Sequence, residues 1–237
     1  MAAVYEKPTY DVIRKFEKVP EDIVARYARL EESASINECM PEKNGALDSR
    51  IKPMWRDMRF CGTAVTVRCG TGDNLMLHRA IDMAGPGDVL MVINNSYDEA
   101  GGLFGGMMAT SLKARGAAGI VIDGASRDSM QIRQVGFPVF SRNIGVKASS
   151  KLVPGKINHP IVIGGVYVEP GDLVFGDCDS VVVVPKRLAL QVLEAAEARE
   201  ANEAVMQKRI LAGETTTFEM FRANYEKLGL LEEPLDE

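Results

Sequence analysis

The chain is poor in aromatic residues, which make up 6% of its 237 positions, with Trp55 the one tryptophan. That excludes a surface built by stacking bases on rings. It has no surplus of positive charge either. Lys and Arg number 28 against 33 Asp and Glu, a net charge of −5, so nucleic acid would be repelled rather than gathered. No apolar run nears the roughly 18 residues of a membrane span. The opening MAAVYEKPTYDVIRK lacks a basic segment followed by an apolar one, so no signal peptide is read there and a cytoplasmic protein is expected. Cysteine is sparse and unpatterned: Cys39, Cys61, Cys69 and Cys178 show no CxxC and no Cys/His metal spacing. They read as reduced core thiols. Histidine is limited to His78 and His159, neither in a Ser/His/Asp context, and both read as structural.

What is present is the composition of a folded globular protein. Hydrophobic residues make up 46% and charged residues 26%, enough of the first to close a sizeable core. Residues 8–40 read as mostly helical, with Val12, Ile13 and Phe16 at helical spacing and Pro20-Glu21-Asp22 opening a second segment through Ile23, Tyr27 and Leu30. Residues 41–53 are rich in turn formers. From Cys61 onward, β-rich runs alternate with glycine turns, at 62–69, 88–94, 119–124, 138–141, 160–168, 172–177 and 180–185. Two of them, DVLMVIN and GIVIDG, are nearly continuous apolar runs, each behind a helix candidate at 73–84 or 104–116. That is the pattern of buried parallel strands in an α/β core. The later strands are separated only by Gly, Pro and Asp turns and read as an antiparallel layer. Three stacked layers are expected, followed by a long charged helix over 186–212 and a polar tail over 213–237.

Chemistry concentrates in residues 101–128, GGLFGGMMATSLKARGAAGIVIDGASRD. Gly101, Gly102, Gly105 and Gly106 precede a helix that begins near Met107. A helix start offers unpaired N–H groups and partial positive charge, which suits a carboxylate or phosphate. The spacing is neither a P-loop nor a GxGxxG fingerprint, so the glycines carry two readings, an anion site and simple tight packing. Asp123-Gly124-Ala125-Ser126-Arg127-Asp128 follows the apolar strand GIVI, at a strand end of the kind that lines the ligand crevice of α/β folds. Arg127 can hold a carboxylate through two parallel hydrogen bonds, and Asp128 can hold a hard divalent cation. The competing reading is an Arg–Asp turn that pairs with itself. Asp177 and Asp179 in GDCDS read first as turn carboxylates. Glu200 and Glu203 share a face of the last helix, with Arg199 and Glu203 at i,i+4 spacing, as on a solvated charged face. Lys147, Lys151 and Lys156 stand in loops, with no sign of the desolvated pocket that a Schiff-base lysine needs.

The blocks GALDSRIKPMW, GDNLMLHRA, PGDVLMV, FGGMMATSLKARGAAGIVIDGASRD, PVFSR, GGVYVEPGD and GDCDSVVVVP, in that order, resemble the 4-hydroxy-4-methyl-2-oxoglutarate aldolases and the related regulators of ribonuclease activity A. The similarity runs from about residue 45 to 210, and VIDGASRD is its most specific segment. The resemblance implies a single RraA-like domain over residues 1–237, an α/β, three-layer β/β/α fold of the swivelling, phosphohistidine-domain type. Its N-terminal helical segment would span about 8–40, its core about 45–185, and its C-terminal helix and tail about 186–237. A homotrimer or homohexamer with active sites between subunits is implied as well. So is a Mg²⁺- or Mn²⁺-dependent lyase that cleaves 2-oxo acids to pyruvate, usually with oxaloacetate decarboxylation as a second activity. The other branch implies instead a non-catalytic regulator that binds a ribonuclease.

Residue by residue, the family's substrate arginine falls on Arg127 and its metal-ligating aspartate on Asp128. Its pyruvate-carboxylate pocket, made of helix-start amides, falls near Gly105, Gly106, Met107 and Met108. A glutamate lent by a neighbouring subunit to hold metal-bound water falls on Glu203, with Glu200 second. Many members carry an acid immediately after the loop glycine, where this chain has Gly105-Gly106; Asp98 or Glu99, earlier in the same loop, could substitute for it.

Overall fold

The computed structural model describes residues 10–94 and 101–231; Asp98 and Glu99 lie outside them. In chain order the elements are β1 (Asp11–Val12), α1 (Glu21–Tyr27), α2 (Ser33–Glu38), β2 (Lys52–Pro53), β3 (Phe60–Arg68), α3 (Leu75–Met83), β4 (Asp88–Ile93), β5 (Gly102–Phe104), α4 (Gly106–Ala114), β6 (Gly119–Ser126) and α5 (Ser129–Val135). There follow β7 (Val139–Ile144), β8 (Lys156–Ile157), β9 (Ile161–Ile163), β10 (Val166–Val168), β11 (Leu173–Gly176), β12 (Val181–Val184), α6 (Ala189–Leu211) and α7 (Thr217–Leu228). The chain divides into two units after Ala196.

The first unit is built on four parallel strands in the order β3-β4-β6-β7, with Thr63 opposite Asp88, Val89 opposite Gly119 and Ile120 opposite Val139. Every residue of β4 is buried, which is why its sequence shows no alternation: helices and loops cover both faces of such a sheet. Among the described residues the sheet reaches ten strands. β8 and β1 extend it from β3, β2 closes it beyond β7, β5 lies beside the end of β6, and the β11–β12 pair joins antiparallel to β3. The mixed α/β class is as expected, and the late strands are antiparallel. β11 and β12 are hydrogen-bonded to each other and, through β11, to β3 of the main sheet. The run 160–168 is broken into the hairpin β9–β10 by Gly164 and Gly165, both at positive φ (53° and 83°), a turn conformation that favours glycine. A second apolar cluster packs Tyr27, Ile36, Leu173, Phe175, Val182, Val192 and Leu193, and the Tyr27 hydroxyl donates to the Ala189 carbonyl at 2.8 Å. Burying each such side chain stabilises by roughly 1.5–3 kcal/mol, which holds α1, α2 and the first turns of α6 on the β11–β12 strands.

One sequence expectation is corrected and another gains detail. Residues 8–20 are not helical where described: Asp11 and Val12 form an edge strand along β8, and the Ile13 N–H donates to the Ile157 carbonyl at 3.1 Å. The unpaired backbone of a sheet edge outweighs a weak helical pattern of three apolar residues. The tail after 213 contains α7, whose Thr216 Oγ accepts from the Glu219 N–H at 3.4 Å and whose end is Gly229 at φ 66°. Thr-x-x-Glu followed by a terminal glycine is a start and stop signal visible in the sequence. The second unit comprises α6 from Glu197 onward and α7, in which Arg222 pairs with Glu219 at 2.7 Å and the Phe218 and Tyr225 rings lie 4.8 Å apart. Among the described residues no helix is long and apolar enough to cross a membrane.

Candidate active site at the start of α4

The parallel strands end on one side of the sheet, and the chain leaves them there through the glycine run and the Arg127-Asp128 turn. Gly105 is extended (φ −147°) and α4 begins at Gly106. The Ala109 N–H donates to the Gly105 carbonyl at 3.1 Å, and the Gly106 N–H donates to Asp128 Oδ2 at 3.1 Å. Helix geometry leaves the Met107 and Met108 N–H groups without an intrahelical acceptor. The α4 start therefore presents amide donors and the positive end of a helix dipole.

Strand β6 delivers the two charged residues to this point. The Arg127 N–H donates to the Phe104 carbonyl at 2.8 Å, which fastens the turn to β5. Asp128 is left-handed (φ 61°, ψ 39°) and precedes α5. That conformation is rare for residues with side chains, and Asp is among the few that tolerate it. Arg127 Nε lies 3.7 Å from Asp128 Oδ2, and both side chains stay more than two-fifths exposed, 43% and 41%. This is a loose ion pair, and the shorter contact of the carboxylate is with the α4 amide. Among the described residues, Asp128 Oδ1 accepts no hydrogen bond.

The glycines have a packing reason as well. A Cβ on Gly105 would run into Asp128 Oδ2 and stand 3.3 Å from Arg127 Nε. A Cβ on Gly106 would fall inside the carboxamide of Gln131, 2.7 Å from its Cγ. Gln131 was not singled out from the sequence. Its position three residues after Asp128, in the first turn of α5, was readable; that it faces Gly106 was not.

Other candidates resolve into supports. Asp123 accepts from Arg142 Nε and, through Oδ2, from the Gly164 N–H at 2.9 Å, while Arg142 also donates to Asp48 at 2.9 Å. Arg142 is only 5% exposed, so this network joins β6, β7 and the β9–β10 turn. Bonds from the Arg50 side chain and backbone, and then from Arg142, hold the Asp48 carboxyl well below the usual range. Asp73 accepts from Ser150 Oγ at 2.6 Å and from the Leu152, Val153 and Leu75 N–H groups at 2.6, 3.1 and 2.8 Å. Burial raises its pKa, but these bonds outweigh it and the net shift is downward. The tethered loop in turn receives the Gly102 N–H on the Lys147 carbonyl at 2.9 Å, and Asn74 donates to the Leu103 carbonyl at 2.8 Å, so β5 is held from both sides. Asp177 serves its turn and the start of α2, accepting from the Ser33 N–H and Oγ at 2.6 and 2.9 Å.

Met107 is exposed and Met108 buried; with His78, Asp82, Ser111 and Arg115 they line a cavity of about 260 Å³ between α3 and α4. Desolvation, and after it the Lys151 charge, lower the His78 pKa. Lys147 and Lys151 are exposed. Burial pushes the Cys61 and Cys69 thiols up to about 12, whereas Cys178 is exposed and is no core thiol. Arg127, Asp128, Gly105, Gly106, Met107 and Met108 thus meet within the first unit. Glu200 and Glu203 lie on α6 in the second, where Glu203 pairs with Arg199 at 2.7 Å. Among the described residues no three His, Cys, Asp or Glu side chains converge on a metal position. One carboxylate with a free oxygen suits a cation that keeps most of its waters and shares ligand oxygens, as Mg²⁺ does.

A mixed α/β fold with an anion-receptive helix start beside an Arg-Asp turn defines the class. The RraA-like family, described as Aldolase/RraA, matches residues 33–183, and the chain belongs to it. A relative from Halalkalibacterium halodurans, named "Putative 4-hydroxy-4-methyl-2-oxoglutarate aldolase", is 39% identical over 164 residues, 69% of this chain and 78% of its own. Among solved structures, an uncharacterized protein from Pseudomonas syringae pv. tomato superposes with a TM-score of 0.78 at 27% identity, over 89% of this chain and 97% of that one. Streptomyces coelicolor RraAS2, described as an unusual member of the RNase ES inhibitor RraA protein family, gives 0.73 at 28% identity over 81% and 99%.

Proposed function

We propose that the protein is a carbon–carbon lyase that cleaves 2-oxo acids of the 4-hydroxy-4-methyl-2-oxoglutarate type to pyruvate with the help of Mg²⁺ or Mn²⁺, and that it also decarboxylates oxaloacetate. The observation that carries this reading is the convergence of Arg127, Asp128 and the free amides of α4 on one point. The Met107 and Met108 N–H groups receive the carboxylate of the 2-oxo acid. As the C3–C4 bond breaks, its electron pair moves into the pyruvate fragment and negative charge builds on the C2 oxygen. Arg127 donates to that oxygen, a pre-aimed donor in the place where charge develops. A divalent cation held by Asp128 would supply Lewis-acid polarisation of the same oxygen. Glu203, with Glu200 second, reaches the site from a neighbouring subunit in a homotrimer or homohexamer and takes part in the proton transfer, in which the C4 hydroxyl gives up its proton as C4 becomes a carbonyl and C3 of the enolate takes one up to complete the methyl group of pyruvate. The three-layer β/β/α arrangement of swivelling domains and a cytoplasmic location belong to the same reading.

Pyruvate release from 4-hydroxy-4-methyl-2-oxoglutarate and from oxaloacetate, with Mg²⁺ and with excess EDTA, tests it. Release that EDTA abolishes is the expected outcome. The likeness to a member of an RNase-inhibitor family favours a second reading, a regulator that binds a ribonuclease. No release from either substrate, together with co-purification of a ribonuclease, would replace the first reading by the second.

A further inference from the structure

Both glycines at the start of α4 are overlaid by side chains of the α5 turn, Gly105 by Asp128 and Gly106 by Gln131. The Gln131 carboxamide fills the volume that any side chain at position 106 would occupy, and among the described residues it has no hydrogen-bond partner. It is an exposed polar group lying over Gly106, the residue before Met107 in α4, and it follows Asp128 by three positions in the chain. We infer that Gln131 is a substrate-orienting residue: its carboxamide, packed on Gly106, adds a side-chain contact beside the amides of the first turn of α4. This inference rests on the aldolase reading and adds a residue to it. The carboxamide is neutral and has both a donor and an acceptor, so it directs a ligand oxygen without adding charge to the cation position beside Asp128.

Two variants separate this role from a structural one. Gln131→Ala removes the carboxamide at an exposed helical position, and it should raise KM for the 2-oxo acid about fivefold to tenfold, the size of one lost hydrogen bond. Its kcat should change by less than about threefold and its melting temperature should hold, as for loss of a uniform binding contact. Gln131→Glu keeps the shape and adds a negative charge near Asp128, so Mn²⁺ alone, titrated by its free-ion EPR signal, should bind about threefold to tenfold more tightly. Unchanged KM in the alanine variant, or unchanged Mn²⁺ affinity in the glutamate variant, would overturn the assignment while the wild-type enzyme still released pyruvate. A wild-type protein that neither releases pyruvate nor binds Mn²⁺ would overturn the aldolase reading and this inference together.

Discussion

Arg127 carries the sharpest expectation of any single residue. Its backbone is fixed by Phe104, and its side chain is 43% exposed and only loosely paired with Asp128. Arg127→Ala should lower turnover about a hundredfold or more, roughly 2.7 kcal/mol of lost transition-state stabilisation, while leaving the fold intact. Pyruvate release measured beside a thermal melt checks both halves, and near-wild-type kinetics would remove Arg127 from the mechanism. Asp123, four residues earlier in the same segment, behaves oppositely. It is committed to Arg142 and Gly164, and its replacement is a stability experiment rather than a catalytic one. One conspicuous sequence motif therefore serves two physical ends.

Among the elements, β5 and the 147–153 loop depend on Asp73, which serves four donors. Asp73→Ala leaves those donors unmet and should cost about 2–3 kcal/mol, read as a lower urea midpoint. The Asp73 and Asp48 carboxyls are both lowered in the folded state. Their contribution is fully present above the unfolded carboxylate value of about 4 and is lost as pH falls through their folded values. Asp172, raised by burial, works the other way. Stability of the wild type should therefore fall in acid below about pH 4, and less steeply in Asp73→Ala, which lacks one of the groups being protonated.

The elements also explain what the sequence disclosed. β3, β4 and β6 were legible because burial on both faces leaves an apolar signature. β1, β2, β5 and β8, two or three residues each, exist only through the strands beside them and carry no pattern of their own. α7 carries its own start and stop signals in Thr216, Glu219 and Gly229, and α5 its stop in Gly136, which is left-handed. At the site, Arg127 and Asp128 were readable as a strand-end pair, whereas Gln131 gains its meaning only from α5 packing on α4.

For the whole molecule, the test is whether one active site needs two subunits. Arg127→Ala and Glu203→Gln proteins should each be inactive alone. Co-expressed as mixed oligomers, they should regain about a quarter of wild-type activity if each site takes Arg127 from one subunit and Glu203 from the next, because one random pairing in four restores both residues. No recovery would confine the site to a single subunit. The left-handed backbone of Asp128 matters on the same scale. Glycine and asparagine tolerate that conformation, while most other residues strain it. In a library covering every position of the chain, scored separately for protein abundance and for growth on a 2-oxo acid, position 128, like position 127, should show the two scores diverging for those two replacements. Selection for folding alone would let the carboxylate drift away, so its retention in a lineage would record demand for the chemistry.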